Sequence, residues 1–395
     1  MVRGKRPMLA LLVAALMWSF GPATAASALV DTGEGIWTDP MFRGNPGRTG
    51  EAIGPGPIGE PVLKWRFETA APVVVDAAIS DGVLYAGSWD HYLYALDVRS
   101  GAERWRFLAG AGFFSSPAIA SDLVYAGGND GVLYAVDVAT GAERWRFTTE
   151  EPVWSSPVVV GGTVFVGSID GGLYAIDAAS GRQIWRHETG GTIWSSSPAV
   201  VDGLAYVGVF VDSERPNGLL VAIDTATGTE RWRYATEGPI YNSPAVSAGT
   251  VYVDSHDGTL HALDAATGAE RWQVQPAEGN GFGSSPAVSG GIVYLSDQAG
   301  NLVAIDAATG ERRWQVQYGF TLGTSPAISD GVVYVATERG TVVALDAATG
   351  AGRWHFEIDA ETGSSPVVAD GMVFLGTGRP FRELAEGFIY AIGDR

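Results

Sequence analysis

The chain has 395 residues, 46% of them hydrophobic, with 54 glycines, no cysteine and a formal charge of −19. The apolar content is enough for a large core, and glycines spread in this number suit many short strands and turns. Without cysteine there is neither a disulfide framework nor a thiolate metal site, and so acidic a surface repels nucleic-acid phosphates and anionic lipid heads, which sets aside nucleic-acid binding and direct membrane adsorption.

Residues 1–28 read as a secretory signal. Basic Arg3-Gly-Lys-Arg6 precedes the apolar run 8–20, and two small-x-small sites follow, Ala23-Thr-Ala25 and Ala26-Ser-Ala28. That run is too short to cross ~30 Å of hydrocarbon as a helix, and no cysteine follows it for lipid attachment. The mature chain is expected to begin near Ala26 or Leu29, to carry −19 − 3 = −22 once Arg3, Lys5 and Arg6 are removed, and to be secreted or periplasmic. Residues 29–60 form an arm rich in Gly and Pro, with Trp37, Met41-Phe-Arg-Gly44 and Gly54-Pro-Gly-Pro57. It carries turn signals and no sustained periodicity. Trp37 and Phe42 are expected to pin it to the surface of the domain that follows.

From residue 61 to 395 the chain is periodic. Asp264-Ala-Ala-Thr-Gly-Ala-Glu-Arg-Trp272 recurs as Asp97…Trp105, Asp137…Trp145, Asp177…Trp185, Asp224…Trp232, Asp306…Trp314 and Asp346…Trp354, and Trp65 stands alone before them. The gaps between these Trp residues are 40, 40, 40, 47, 40, 42 and 40. In each unit the Asp offers a carboxylate to the following amides, and the Gly supplies a positive φ. The Trp returns on one face of the next strand with an Arg on the other. A Trp buries roughly 150–250 Å², so eight of them at one structural position are expected to hold neighbouring sheets together.

One full cycle contains four strand candidates: Ser156-Pro-Val-Val-Val, Thr163-Val-Phe-Val-Gly, Gly172-Leu-Tyr-Ala-Ile-Asp177 and Gln183-Ile-Trp-Arg-His. Pro157 cannot donate to a ladder, which makes its strand an edge. Pro117, Pro198, Pro244, Pro286, Pro326 and Pro366 repeat it. Charged residues such as Arg104 and Arg106 guard the other edge. Four strands per ~40 residues is the signature of a propeller blade. The spacing predicts an all-β fold, an eight-bladed β-propeller with four-stranded blades. Lys64-Trp-Arg-Phe67 lacks three strands and residues 363–392 lack a fourth, so the ring is expected to be closed by the N-terminal strand.

The pattern Tyr-Ala-Leu-Asp-x-x-Thr-Gly-x-x-x-Trp, preceded by Ser-Ser-Pro and an Asp-Gly turn, resembles the PQQ-like β-propeller repeat of quinoprotein dehydrogenases and of the outer-membrane β-barrel assembly lipoprotein. The resemblance covers residues 61–395. The only Trp-Asp pair, Trp89-Asp90, lies outside the repeated Trp position and argues against a WD40 propeller. The resemblance implies that the Asp…Gly…Trp motif docks adjacent blades. For the dehydrogenases it also implies PQQ on a metal such as Ca²⁺, held by carboxylates, an amide and an Arg, with a catalytic Asp and often a vicinal Cys pair. No cysteine exists here, and no other residues match that set, so no catalytic residue, metal ligand or cofactor is expected. The leading expectation is a noncatalytic, monomeric binding module for a protein segment or small ligand. A compact PQQ-dependent oxidoreductase is the alternative, and a purely structural envelope domain is the third possibility.

Departures from the repeat gather where strands four and one, and two and three, connect. Two of these loops are long, 209–218 and 376–387. Just before Ser-Ser-Pro, consecutive blades carry Phe114, Trp154, Trp194 and Tyr241, while later blades carry Gly283, Gly323 and Gly363. One arc of the channel mouth is therefore expected to be aromatic and to bind the ligand or partner. In the first blade Ser-Ser-Pro becomes Val75-Asp76-Ala77, and Asp76 is expected either to hold a cation at this mouth or to be solvated. His91, His187, His256, His261 and His355 show no metal-ligand spacing, and His256 and His261 read as surface or packing residues.

Overall fold

The repeated motif folds as a latch between blades. Asp264 Oδ1 accepts the Thr267 N–H at 3.0 Å and its hydroxyl at 2.8 Å, and Oδ2 takes the Arg271 guanidinium at 2.8 Å. Gly268 has φ 73°, and a Cβ there would stand 2.7 Å from the Trp232 ring of the preceding blade. Glycine is thus required twice, for the turn and for the close approach. The Trp232 indole N–H completes the latch by donating to Ala265 O at 3.0 Å. Each of the eight repeated indoles makes such a bond: Trp65 to Val98, Trp105 to Val138, Trp145 to Ala178, Trp185 to Thr225, Trp272 to Ala307, Trp314 to Ala347 and Trp354 to Pro57 complete the set. Seven of these Trp residues are half-buried, and Trp65 is buried.

The computed structural model describes residues 41–52, 54–211, 217–275, 282–318, 324–378 and 386–395. The leader at 1–28, Trp37, Gly323 and the middle of both long loops lie outside them. Among the described residues the chain is all-β, with thirty-two strands in eight antiparallel four-stranded sheets. In the third blade the order is Val158–Val160, Thr163–Gly167, Gly172–Asp177, Gln183–Glu188. The innermost strands are three residues long and follow the repeated prolines, at the sheet edge that the missing N–H predicts. The last blade consists of Val367–Ala369, Met372–Gly376, Gly387–Asp394 and, as its outer strand, Pro61–Thr69. Pro61 pairs with Asp394 and Thr69 with Gly387. The eight-bladed propeller is therefore closed by the N-terminal strand, as the sequence predicts.

The arm departs from expectation. Residues 41–52 do not lie on the outer surface but run along the innermost strands. The Val200, Val246, Val288 and Ile328 amides donate to Pro46, Gly47, Thr49 and Gly50 carbonyls at 2.7, 2.7, 2.7 and 2.8 Å. Each of these amides belongs to an inner edge strand that has no further strand to pair with, and buried backbone donors must find acceptors. Two arginines satisfy the carbonyls of the same edges. Arg48 donates from Nε to Pro198 O, from Nη1 to Phe42 O and from Nη2 to Ser156 O and Pro157 O. Arg43 donates to Pro326 O, Ser285 O and Pro286 O. Both are buried, at 6% exposure for Arg43 and 1% for Arg48.

Candidate binding site at the channel mouth

The two serines of Ser-Ser-Pro have different duties. The first stays within its blade: Ser115, Ser155 and Ser196 accept the amides of Gly127, Gly167 and Gly208 at 3.3, 3.2 and 2.8 Å. The second reaches across to the next blade. The Ser116 amide donates to Ser156 Oγ, Ser156 to Ser197, Ser197 to Ser243, Ser243 to Ser285, Ser285 to Ser325 and Ser325 to Ser365, all at 2.8–3.1 Å. Asp76 stands where the first blade lacks this serine. Its amide donates to Ser116 Oγ at 3.0 Å, and its Oδ1 accepts the Ser365 amide at 2.7 Å. The result is a closed ring of eight hydrogen bonds around the channel.

Asp76 is accordingly buried rather than solvated, at 6% exposure. Burial pushes its carboxyl up to about 6, against the pull of the Ser365 amide and hydroxyl and of the Arg43 and Arg48 charges. It serves as the ring's closing acceptor and as the counter-charge nearest the arm.

The aligned aromatics come together as one strip. Ring centroids lie 4.9 Å apart for Phe114–Trp154, 5.4 Å for Trp154–Trp194 and 5.9 Å for Trp194–Tyr241. The strip sits in the loops just ahead of the inner strands. Trp194 is 41% exposed, and the other three are half-buried. Three further rings extend it: Trp89 beside Phe114 at 5.9 Å, and Phe210 and His256 beside Tyr241 at 6.1 and 4.7 Å. Trp89 and His256 come from second-to-third turns and Phe210 ends a second strand, where residue type varies from blade to blade, so no aligned aromatic marks them in the sequence. Across the mouth, a Cβ on Gly363 would stand 2.5 Å from Gly378 O, and one on Gly283 would meet only Gln298, at 3.4 Å. A cavity of about 190 Å³ opens between the ring and the strip, with Phe42 of the arm, Asp76, Phe114, Trp154, Tyr241 and Asn242 in its wall.

Sequence reasoning passed over Asp254. It ends the second strand of the fifth blade, where Gly87, Gly127, Gly167 and Gly376 end theirs, and that break in the glycine column was its signal. The side chain is 1% exposed; Oδ2 accepts Asn242 Nδ2 at 2.7 Å, and Oδ1 has no hydrogen-bond partner among the described residues. Burial pushes its carboxyl up to about 7, with Asn242 opposing and Asp257 adding. The folded protein thus holds this proton more tightly than the unfolded chain. The stability it contributes is complete below the unfolded value near 4 and is lost as pH rises through about 7. Lowering the pH from about 8 to about 5 is expected to raise the melting temperature of the wild type more than that of Asp254→Asn. Equal slopes would show a carboxylate already ionised in the fold.

Among the described residues no group of three or more His, Asp or Glu side chains is placed to hold a metal ion. His261 is buried beside Tyr234 and Glu270, with both contacts at 3.3 Å.

A family profile described as outer membrane protein assembly factor BamB matches residues 24–192, 175–324 and 316–387. Among solved structures, a europium-containing methanol dehydrogenase superposes with a TM-score of 0.79 at 15% identity, covering 90% of this chain and 98% of its own. BamB from Moraxella catarrhalis gives 0.70 at 18% identity, with 84% and 99% covered. The quinohemoprotein alcohol dehydrogenase from Comamonas testosteroni gives 0.75 at 18%, with 91% and 81% covered. At these identities the likeness is one of fold. No curated protein matches the chain significantly.

Proposed function

The chain belongs to the PQQ-like repeat family described as outer membrane protein assembly factor BamB, and from that premise we propose that it is a noncatalytic binding or scaffold module working outside the cytoplasm as a monomer. Its channel-mouth face receives an extended protein segment or a small ligand. The observation that carries this reading is the continuous strip Phe114–Trp154–Trp194–Tyr241, with Trp194 left 41% exposed. Large rings with one polar end are frequent hot spots in interfaces. Trp154 is of this kind, since its indole N–H donates to Asn129 Oδ1 at 2.6 Å.

The wall of the cavity does not fit a calcium-bound quinone. Calcium takes six to eight oxygen ligands, several of them carboxylate. The one carboxylate lining this cavity, Asp76, has an oxygen committed to the Ser365 amide. Sustained dye reduction by protein reconstituted with PQQ and Ca²⁺ would nevertheless restore the oxidoreductase reading.

The binding face is tested with displayed peptides selected on the wild-type protein. Replacing both Trp154 and Trp194 by Ala is expected to abolish their binding while the melting temperature falls only modestly. Retained binding, or loss of most of the stability, would show the strip to be packing alone.

A further inference from the structure

We propose that the cavity between the serine ring and the aromatic strip is a saccharide site. One neutral sugar ring sits in it, with its hydroxyls on the ring serines and Asn242 and its C–H face against the strip. The proposal rests on the reading that this face takes a ligand, and it names the class of that ligand.

The fifth blade departs from the repeat in a matched pair. Ser115, Ser155 and Ser196 bond to Gly127, Gly167 and Gly208 within their own blades, whereas the fifth blade has Asn242 and Asp254 at those two positions. None of the three serines belongs to the cavity wall, and Asn242 does. Asp254 Oδ2 takes the Asn242 Nδ2 at 2.7 Å and fixes the amide, while Asn242 Oδ1 stays uncommitted among the described residues. A buried carboxyl held in place of a glycine is costly. Here it orients a polar group that the repeat otherwise keeps out of the cavity.

The ring below is polar but carries no spare charge. Each second serine from Ser116 to Ser325 lines the cavity and accepts one amide from the preceding blade. A serine hydroxyl has one proton and two acceptor positions, so each keeps its proton and one acceptor position uncommitted among the described residues. The ring therefore gives and takes hydrogen bonds equally, as a ligand hydroxyl does and an ion does not. Arg43 and Arg48 commit their guanidiniums to inner-edge carbonyls, and neither is among the described residues of the wall. Asp76, the one carboxylate there, holds the Ser365 amide. A charged ligand would thus enter without a counter-charge, which a desolvated site strongly disfavours.

The strip supplies the apolar side. Phe114, Trp154 and Tyr241 belong to the same wall, and Trp194, between the last two in the strip, is 41% exposed. The face of an aromatic ring is electron-rich, and the ring C–H bonds of a sugar point weakly positive hydrogens at such a face. Water would satisfy the hydroxyls but not the rings, and a plain aromatic would satisfy the rings but not the hydroxyls. A sugar is polar at its rim and apolar on its face, so it meets both. At about 190 Å³ the cavity is smaller than the roughly 300–1,000 Å³ of drug-sized ligand sites, which limits it to a single ring.

The probes are the methyl glycosides of glucose, galactose, mannose and N-acetylglucosamine, titrated into the full protein by tryptophan fluorescence and by thermal melt. At least one is expected to bind saturably and to raise the melting temperature. Cyclohexanol, which keeps a ring with a single hydroxyl, and glucuronate, which adds a carboxylate, are expected to do neither. Asn242→Ser combined with Asp254→Gly returns the fifth blade to the repeat, and is expected to weaken the bound glycoside by about tenfold or more. If that variant folds poorly, the wild-type comparison of glycosides with cyclohexanol still decides. Failure of all four glycosides, or equal binding of cyclohexanol or glucuronate, overturns the saccharide site. Undiminished binding by the reverted pair overturns its placement at this wall. If the sugars fail while selected peptides still bind and the Trp154 and Trp194 double variant loses them, the binding face stands with a protein segment as its occupant. If the peptides fail as well, both readings fall. Once a glycoside binds, the trisaccharide of the same unit separates the sources. Tighter binding assigns the site to the end of a glycan chain, and equal binding assigns it to a free sugar.

Discussion

A chain lacking Pro61–Thr69 is expected to aggregate, or to melt far below the intact protein. This segment is the outer strand of the last blade, paired from Pro61↔Asp394 to Thr69↔Gly387 with a bulge between Leu63 and Trp65. Its removal uncovers Gly387–Asp394 as a new edge. Phenylalanine, isoleucine, tyrosine and alanine fill five of its eight positions, and long apolar edges recruit other chains. It also removes Trp65, which is 8% exposed, packs on Phe374 at 5.8 Å and latches the last blade to the first through Val98 O at 2.8 Å. Loss of a buried aromatic alone costs about 3–5 kcal/mol. That is a large share of the roughly 5–15 kcal/mol that holds a typical domain together. Size-exclusion chromatography with a thermal melt reads the outcome. A monomer melting within a few degrees of the intact chain would show that closure contributes little. Moving the same strand to follow Arg395 supplies the control, since the last blade then regains its fourth strand.

The fold was legible because it is periodic. Seven copies of one Asp…Gly…Trp spacing specify a hairpin, and the unmatched ends at Trp65 and at residues 363–392 specify how the ring shuts. The arm was not legible, for the converse reason. Residues 41–52 carry no period, and their partners are single backbone groups on six different blades. Pairing of that kind leaves no pattern in one sequence. Arg43 and Arg48 look like ordinary surface charges until the inner edges they satisfy are in place. The second serine of Ser-Ser-Pro was visible at every repeat, yet its bond crosses to the next blade some 40–46 residues on, so only its role as an edge marker could be read. Asp76 was visible as the serine's substitute, but its bonds run to Ser116 and Ser365 on the neighbouring blades, so its burial could not be foreseen. The aromatic strip was half legible. Its four aligned members were found by position, whereas Trp89, Phe210 and His256 enter from turns and a strand end whose residues differ from blade to blade.

Replacing Arg48 by Ala is expected to cost about 3–5 kcal/mol, the range for breaking a buried charged network by removing one partner. The guanidinium is 1% exposed and donates to Pro198 O at 3.1 Å, Phe42 O at 2.6 Å, and Ser156 O and Pro157 O at 2.9 Å. It joins the third blade, the fourth blade and its own arm in one hydrogen-bonded knot. Burial pulls its pKa down to about 9, with Arg43 adding to the fall and Asp76 opposing it. That shift records the charge penalty the knot overcomes. Removing the side chain relieves the penalty but strands the inner-edge carbonyls, each a buried acceptor worth about 1–3 kcal/mol when left unmet. Lysine is not a substitute. Its single ammonium cannot present a planar fork to four carbonyls on three segments, so Arg48→Lys should recover only part of the loss. Denaturant unfolding measures the difference, and a change under about 1 kcal/mol for Arg48→Ala would show that the arm rests in the channel without bracing it. Phe42 forms part of the cavity wall and is tied to Arg48 through its carbonyl.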